Sequence, residues 1–168
     1  MARVPSLSAI FCITFLYGAA RISCAEEPEQ IHEGMAPKAL RWLATQQNDD
    51  GSWSAGEGKQ AAARTETTGL VLLAYLNAGQ THTDGAYKKP VHAGLAYLVK
   101  QMKADENRGD LRGPRGDMTA HGIATFVLCK AYAMTRDKEL LKPAQVGISY
   151  IAAQQDDKSG GWQSDPMA

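Results

Sequence analysis

The stretch that decides the fold occupies residues 38–53 and has the sequence KALRWLATQQNDDGSW. It returns at residues 146–162 as VGISYIAAQQDDKSGGW, with one additional residue before the glycine that precedes the tryptophan. A weaker copy, AGLAYLVKQ at residues 93–101, keeps the small residue, the aromatic residue and the aliphatic residue, but it has lost the second glutamine and the tryptophan. Repetition of this kind is typical of proteins built from stacked structural units.

Two independent markers give the same repeat length. The aromatic residues Trp42, Tyr97 and Tyr150 are 55 and 53 positions apart. The tripeptide TGL at residues 68–70 recurs as HGI at residues 121–123, which is again a spacing of 53. We therefore treat the chain as a series of repeats of fifty-odd residues.

Each repeat predicts two helices of different character. The first carries apolar residues at helical spacing on one side and Lys and Arg on the other, which is typical of an amphipathic outer helix. The second, as at residues 69–76 and 123–129, is apolar nearly all round, which predicts an inner helix covered by neighbours on every side. We expect outer helices over 34–47, 88–103 and 139–155, and inner helices over 65–78 and 118–134.

Residues that favour helix ends flank both inner helices. Thr65 and Asp117 are predicted N-caps, because their side-chain oxygens can accept hydrogen bonds from the free backbone N–H groups of a first turn. Residues 77–79 and 135–137 are predicted to end the two helices. No stretch alternates convincingly between apolar and polar residues, so the sequence predicts an all-α fold without strands.

The turn after the first outer helix predicts a structural role for its glutamine, glycine and tryptophan. Asn and Asp side chains bond the nearby backbone in such turns, and glycine supplies a positive φ. A glutamine at the helix end can satisfy exposed backbone groups, and the tryptophan offers a wide face for packing. The structural turn residues predicted in this way are Gln47, Gly51, Trp53, Gln155, Gly160 and Trp162.

This stretch resembles the Gln-Trp repeat of the squalene–hopene cyclase and protein prenyltransferase superfamily at every position of its pattern. The matching residues are Lys38, Ala39, Trp42, Leu43, Gln47, Gly51 and Trp53. The resemblance extends with uneven strength from Pro37 to Trp162. More narrowly, the chain resembles exported bacterial proteins that carry these repeats. It implies an α/α toroid of helical-hairpin repeats, in which Gln-Trp turns tie neighbouring outer helices together.

The predicted helices make up only part of a closed ring. The resemblance implies about six helix pairs for a complete toroid, whereas residues 26–168 supply two pairs and a lone outer helix, or about two and a half hairpins. We therefore expect a partial toroid domain over residues 26–168. It is either a fragment of a longer product or a chain that completes its helical ring by self-association.

The first 25 residues predict a signal peptide. Arg3 supplies a positive charge, residues 10–20 are apolar, and small residues at Ser23 and Ala25 fit a cleavage site. The chain is therefore expected to be exported, either to the periplasm or to the medium. Removal of residues 1–25 leaves Cys129 without an intramolecular disulfide partner, and we interpret it as a small buried apolar residue.

The charge balance argues against a nucleic-acid partner. The chain has 18 Lys and Arg residues against 18 Asp and Glu residues, and the longest basic cluster is the pair at 88–89. Binding to a phosphate backbone needs a basic face. The partner that the resemblance implies is instead an isoprenoid or another lipid.

Catalysis in the cyclase branch, as the resemblance implies, uses an acidic segment at the mouth of an inner helix to protonate an alkene. The equivalent positions here are residues 64–67 and 117–120, and neither keeps the full acidic pattern. Glu66 and Asp117 remain as candidate proton donors. The alternative for each is a role at the helix N-terminus, where a carboxylate caps the helix or interacts well with its dipole.

The prenyltransferase branch, as the resemblance implies, binds zinc through an Asp-x-Cys pair and a later histidine. No Asp-x-Cys occurs in this chain, although Asp117 and His121 are four residues apart and share one helical face. Two ligands are fewer than zinc normally takes, so no metal and no cofactor are expected. His121 is retained as a candidate catalytic residue, whereas His32, His82 and His92 are predicted to be solvated surface residues.

Three functions follow as alternatives. The first is part of an exported terpene-cyclase-like or prenyltransferase-like enzyme that converts an isoprenoid. The second is a non-catalytic toroid that binds a lipid or a protein. The third is a carbohydrate-active α/α toroid, in which Glu66 and Asp117 would be the paired carboxylates.

Overall fold

The computed structural model describes residues 34–56, 64–113 and 116–162. Within these ranges the chain forms α-helices joined by short loops and one small sheet. The helices are α1 Met35–Thr45, α2 Arg64–Asn77, α3 Lys88–Gln101, α4 Met118–Thr135 and α5 Lys138–Ala153. Each begins and ends within two residues of the predicted bounds, and the all-α fold class is confirmed. The predicted signal peptide at 1–25 and His32 lie outside the described residues.

The two predicted N-caps have different outcomes. The Asp117 carboxylate caps α4 by accepting the backbone N–H groups of Thr119 at 2.8 Å and Ala120 at 3.1 Å, as predicted. The prediction for Thr65 is wrong, because α2 begins at Arg64 and Thr65 lies inside its first turn. Thr65 is buried there, inside the helix and not before it.

Both inner helices end where the sequence predicts. After α2, Gly79 adopts a φ of 72°, a conformation that glycine reaches without a steric penalty. After α4, Arg136 adopts a left-handed φ of 58° and donates its N–H to the carbonyl of Tyr132 at 2.7 Å. Asp137 follows at once and caps α5 by accepting the N–H of Glu139 at 3.0 Å. These two residues alone join α4 to α5.

The core forms between α4 and its two neighbours, α2 and α5, and between α2 and α3. Glycines allow the close approaches: a Cβ added to Gly69 would lie 2.6 Å from Ile123, and one added to Gly147 would lie 2.9 Å from Thr125. The largest side chains in the core are fully buried, among them Leu72, Tyr75, Leu98, Val127 and Leu128. Burial of this apolar surface is the main stabilising contribution to the fold.

A buried tyrosine ties the first two helices together. The Tyr75 hydroxyl donates to the carbonyl of Leu40 in α1 at 2.8 Å, and its ring packs 5.2 Å from that of Tyr87. Burial, and then the neighbouring Tyr87, raise the pKa of Tyr75 to about 12. The phenol is therefore protonated at every physiological pH and acts as a fixed donor.

The expectation that the chain contains no strand is wrong at one place. Residues Lys103–Ala104 (β1) pair antiparallel with Gly109–Asp110 (β2), and Lys103 lies opposite Asp110. The third helix, predicted to reach residue 103, ends at Gln101 because Met102 turns the backbone to an extended conformation. A ladder of two residues is too short to produce a visible alternation in the sequence.

The expectation that the inner helices are covered on every side is also wrong. Leu70 of α2 is 51% exposed, and Phe126 and Met134 of α4 are 56% and 42% exposed. Both helices bury one side in the core and leave the opposite side open. The uncovered side of each helix therefore carries large exposed apolar side chains.

Candidate functional site

The first Gln-Trp turn connects α1 to α3 through hydrogen bonds of the glutamine. Gln47 Nε2 donates to the carbonyl of Gly51 within the turn and to the carbonyl of Pro90 in α3, each at 2.9 Å. Trp53 is 2% exposed, and its Nε1 donates to the carbonyl of Leu43 at 2.7 Å. The turn is thus fixed to the helix before it and to an outer helix that follows.

The last turn repeats the internal hydrogen bonds of the first. Gln155 Nε2 donates to the carbonyl of Gly160 at 2.8 Å, and Trp162 Nε1 donates to the carbonyl of Ile151 at 2.8 Å. In the described part of the chain, however, Gln155 has no second acceptor corresponding to Pro90. Trp162 is 52% exposed.

The segment after α3 makes one equivalent contact with different side chains. Leu111 takes the place of Trp53 in this contact and is fully buried. The backbone N–H of Trp53 donates to Thr68 Oγ1 at 3.0 Å, and the N–H of Leu111 donates to Nδ1 of His121 at 3.0 Å. Thr68 and His121 are 53 residues apart, which is the repeat length found in the sequence.

His121 is a buried part of this connection. Because its Nδ1 accepts from Leu111, the ring proton is assigned to Nε2, which lies 3.1 Å from the carbonyl of Gly147 in α5. Its ring also packs 4.7 Å from that of Tyr150. Burial lowers the pKa of His121, and it outweighs the hydrogen bond to Gly147 and the charge of Asp110, which act in the opposite direction. The geometry favours a neutral, structural histidine.

Asp117 and His121 share a helical face but do not converge on a common point. The Asp117 carboxylate is directed to the first turn of α4, and both His121 ring nitrogens have protein partners. Among the described residues no group of three or more His, Cys, Asp or Glu side chains is arranged to hold a metal ion.

Glu66 is placed differently from the other candidate residues. It lies half-buried in the first turn of α2, and within the described ranges its side chain forms no hydrogen bond or ion pair. Leu70 follows one helical turn later, so the two side chains share a face of α2. Glu66 is therefore the sequence-predicted acid that is left available to a ligand.

The uncovered sides of α2 and α4 carry the exposed Leu70 and Phe126, and we call the surface around these two side chains the inner face. The helices meet where Gly69 packs against Ile123, and both bury their opposite sides in the same core. Because the buried sides face one way, the exposed Leu70 and Phe126 face the other way and flank the junction. The inner face consists of the exposed Leu70 and Phe126 and the half-buried Leu73 and Ile123, with Glu66 at one end.

A concave site lies between α3 and the start of α5. It has a volume of about 340 Å³ and is lined by His82, His92, Leu95, Ala96, Val99, Lys100, Asp137, Glu139 and Leu140. The prediction that His82 is a solvated surface residue is wrong: its side chain is 6% exposed, and its Nε2 lies 2.9 Å from Asp137 Oδ2. His82 Nδ1 is buried without a hydrogen-bond partner among the described residues.

The pair formed by His82 and Asp137 joins the loop before α3 to the N-terminus of α5. The backbone N–H of Glu139, and then the His82 side chain, lower the pKa of Asp137. This pair could not be predicted from the sequence because the two residues are 55 positions apart and neither lies in a recognisable motif.

Cys129 agrees in part with the expected small buried residue. It is partly buried in α4 beside the core, and burial raises the pKa of its thiol. A raised pKa disfavours the thiolate, which is the nucleophilic form.

A comparison with models of known protein families, with characterised proteins and with solved structures finds no match for this chain. Within the described ranges no helix combines the length and the hydropathy needed to cross a membrane.

Proposed function

We propose that this chain is a partial α/α toroid, similar to the squalene–hopene cyclase and protein prenyltransferase superfamily, and that it binds an isoprenoid or a related lipid chain on its inner face. The observation that carries the proposal is the exposure of Leu70 and Phe126 on adjacent, packed helices. Apolar surface of this kind, gathered on one side of a protein, is typical of a binding site for an apolar partner. Single exposed apolar residues would carry no such weight.

The repeated contacts support the toroid part of the proposal. Each of two turns directs an N–H to a side chain at the start of the next inner helix, namely Thr68 and His121. Two turns also share the same bonds from a glutamine amide and an indole N–H. Chain segments that repeat both sequence and hydrogen bonds are expected to stack in the same way.

The geometry favours binding over catalysis at the predicted acidic positions. Asp117 uses its carboxylate to cap α4, and His121 is enclosed by backbone partners. Glu66 alone among the three has no partner in the described part of the chain, and it stands at the edge of the inner face. If the protein converts its ligand, we assign the acid to Glu66.

We further propose that residues 1–25 direct export and that the folded domain begins near residue 26. A lipid carried across an aqueous compartment needs an apolar surface that shields it, and the inner face supplies one. The expected location is the periplasm or the medium.

The experiment is a titration of the protein with farnesol. Binding is measured through the melting temperature and through intrinsic fluorescence. A ligand that binds only the folded protein raises its melting temperature. Maltose serves as the polar comparison, because the carbohydrate-active alternative predicts stabilisation by a sugar. Binding of farnesol without any response to maltose supports the proposal, and the reverse result favours the carbohydrate alternative.

Variants locate the binding surface. Leu70→Ser and Phe126→Ser each remove one exposed apolar side chain, and we expect farnesol affinity to fall about fivefold to tenfold, as the loss of one buried apolar group implies. Ile148→Ser is the matched control, because Ile148 is 52% exposed and lies on α5, away from the inner face. Equal loss in all three variants would place the ligand elsewhere.

A further inference from the structure

The outer helices α1, α3 and α5 each have a corresponding face. Other described residues cover this face in α3 and α5, whereas in α1 it is exposed. In α3 this face consists of Pro90, Val91, Gly94 and Tyr97, and in α5 it consists of Pro143, Ala144, Gly147 and Tyr150. The corresponding residues of α1 are Met35, Ala36, Ala39 and Trp42, at the repeat spacing of 55 from those of α3. We call these four residues the head face.

The preceding turn covers this face in α3 and α5. Val91 is fully buried, Tyr97 is 6% exposed, and a Cβ added to Gly94 would lie 2.8 Å from the ring of Trp53. In α5 the side chain of Arg112 lies over the ring of Tyr150, 5.6 Å from its centroid. The head face of α1 has no such cover among the described residues, and Trp42 is 60% exposed.

Within the described residues, the turn after α5 is open in the complementary way. We call Gln155, Gly160 and Trp162 the tail face. A Cβ added to Gly51 would lie 2.4 Å from the carbonyl oxygen of Ala93, whereas one added to Gly160 would meet nothing within 4 Å. The outer helix that covers the first turn therefore has no counterpart at the last turn in the described part of the chain.

We propose that the tail face of one molecule binds the head face of a second copy, so that the chains associate head to tail. The interface repeats the packing that this chain already forms between its first turn and α3. Trp162 packs beside Ala39 as Trp53 packs beside Gly94, and Gln155 Nε2 donates to the carbonyl of Met35 as Gln47 donates to that of Pro90. The two most exposed tryptophans thus become buried at the same interface. This proposal rests on the repeated contacts and not on the ligand.

The fit at Ala39 is tighter than in the internal interface. Because Gly94 has no Cβ, the Trp53 indole can occupy the space beside it. The corresponding residue of α1 is Ala39, whose Cβ takes up part of that space. The second copy must therefore shift slightly, which weakens the association relative to the internal contact. Ala39→Gly should remove this obstacle.

Head-to-tail association uses two different surfaces on each molecule, so it can be tested by mixing variants. Mass is measured by analytical ultracentrifugation over a range of protein concentration. The wild type is expected to form assemblies larger than a monomer as concentration rises. Trp162→Ala and Trp42→Ala, each alone, are expected to weaken association at least about tenfold.

The decisive sample is an equimolar mixture of these two variants. Trp162→Ala retains an intact head face and Trp42→Ala an intact tail face, so the mixture is expected to form a dimer of one copy of each. A two-fold symmetric interface would give no such rescue, because both variants would carry a damaged copy of it. Ala39→Gly is expected to tighten association several-fold.

Other results would overturn the proposal. A wild type that stays monomeric at every concentration shows that another segment of the chain covers these faces, or that they remain open. Association that survives Trp42→Ala, or a mixture that stays monomeric, excludes the head-to-tail contact. Phe126→Ser is the control from the inner face: it is expected to leave association unchanged while it weakens farnesol binding, so the two proposals can fail separately.

Discussion

The backbone N–H of Leu111 donates to Nδ1 of His121 across 3.0 Å, and the other ring nitrogen of His121 lies 3.1 Å from the carbonyl of Gly147. The imidazole therefore bridges the loop after β2 to α5 through the interior of the protein. Thr68 makes the equivalent contact with Trp53 by a hydroxyl group. A histidine at this position extends the connection to a third element that threonine is too short to reach.

Replacement of the bridge is expected to cost stability. His121→Ala leaves a cavity and removes the partners of a buried N–H and a buried carbonyl, so the free energy of unfolding should fall by about 2–4 kcal/mol. His121→Asn should lose less, because its amide oxygen can still accept the Leu111 N–H. Urea denaturation of the three proteins measures both effects. If His121→Ala proved as stable as the wild type, the ring would have no role in the fold.

The bridge also predicts a pH dependence. Burial lowers the folded-state pKa of His121 below the ordinary value of 6.5, so the unfolded chain binds a proton more readily. The stabilising contribution is fully present above pH 6.5 and is lost as pH falls through the lowered folded pKa. We expect the urea midpoint to decrease between pH 7.5 and pH 5, and to change less in His121→Asn. A urea midpoint that is higher at pH 5 than at pH 7.5 would mean that the folded protein stabilises the protonated form of His121.

Gly94 should tolerate no side chain. The added Cβ of Gly94→Ala would lie 2.8 Å from the Trp53 ring and 3.0 Å from Leu72, and such overpacking costs about 1–3 kcal/mol. Gly122→Ala is the matched control, because a Cβ there meets nothing within 4 Å and alanine favours the helix by up to about 1 kcal/mol. The melting temperature should fall for Gly94→Ala and rise for Gly122→Ala. Destabilisation by both would indicate an effect on helices in general.

Substitutions of Asp117, the N-cap of α4, distinguish a structural role of this residue from a catalytic one. Asp117→Ala should lower the free energy of unfolding by about 1 kcal/mol, whereas Asp117→Asn keeps a capping oxygen and should change it little. Both are measured by thermal unfolding. An Asp117→Asn variant that folds normally but loses a turnover seen in the wild type would assign the acid to Asp117 and not to Glu66.

The helices could be predicted closely from the sequence because local signals determine them. The apolar spacing of α1, the cap at Asp117 and the Gln-Trp turns are all contained within a few residues. The burial of His121 and the contact between His82 and Asp137 depend on segments far apart in the chain, so no local pattern indicates them.

The exposure of the inner face illustrates the same limit. The composition of residues 69–76 shows that the helix suits an apolar environment, but it does not say whether protein or a ligand supplies that environment. Leu70 and Phe126 were expected to be covered by neighbouring helices, and the structure leaves them open.

Gly51 places a limit on which residues the first Gln-Trp turn can accept. In the segment after α3, Leu111 stands in for a tryptophan and His121 for a threonine, yet the hydrogen bond to the inner helix is retained. Gly51 has no comparable freedom, because it adopts a φ of 86° and the backbone of α3 passes where its side chain would lie. The tryptophan of such a turn can therefore be exchanged for another apolar residue more readily than its glycine can gain a side chain.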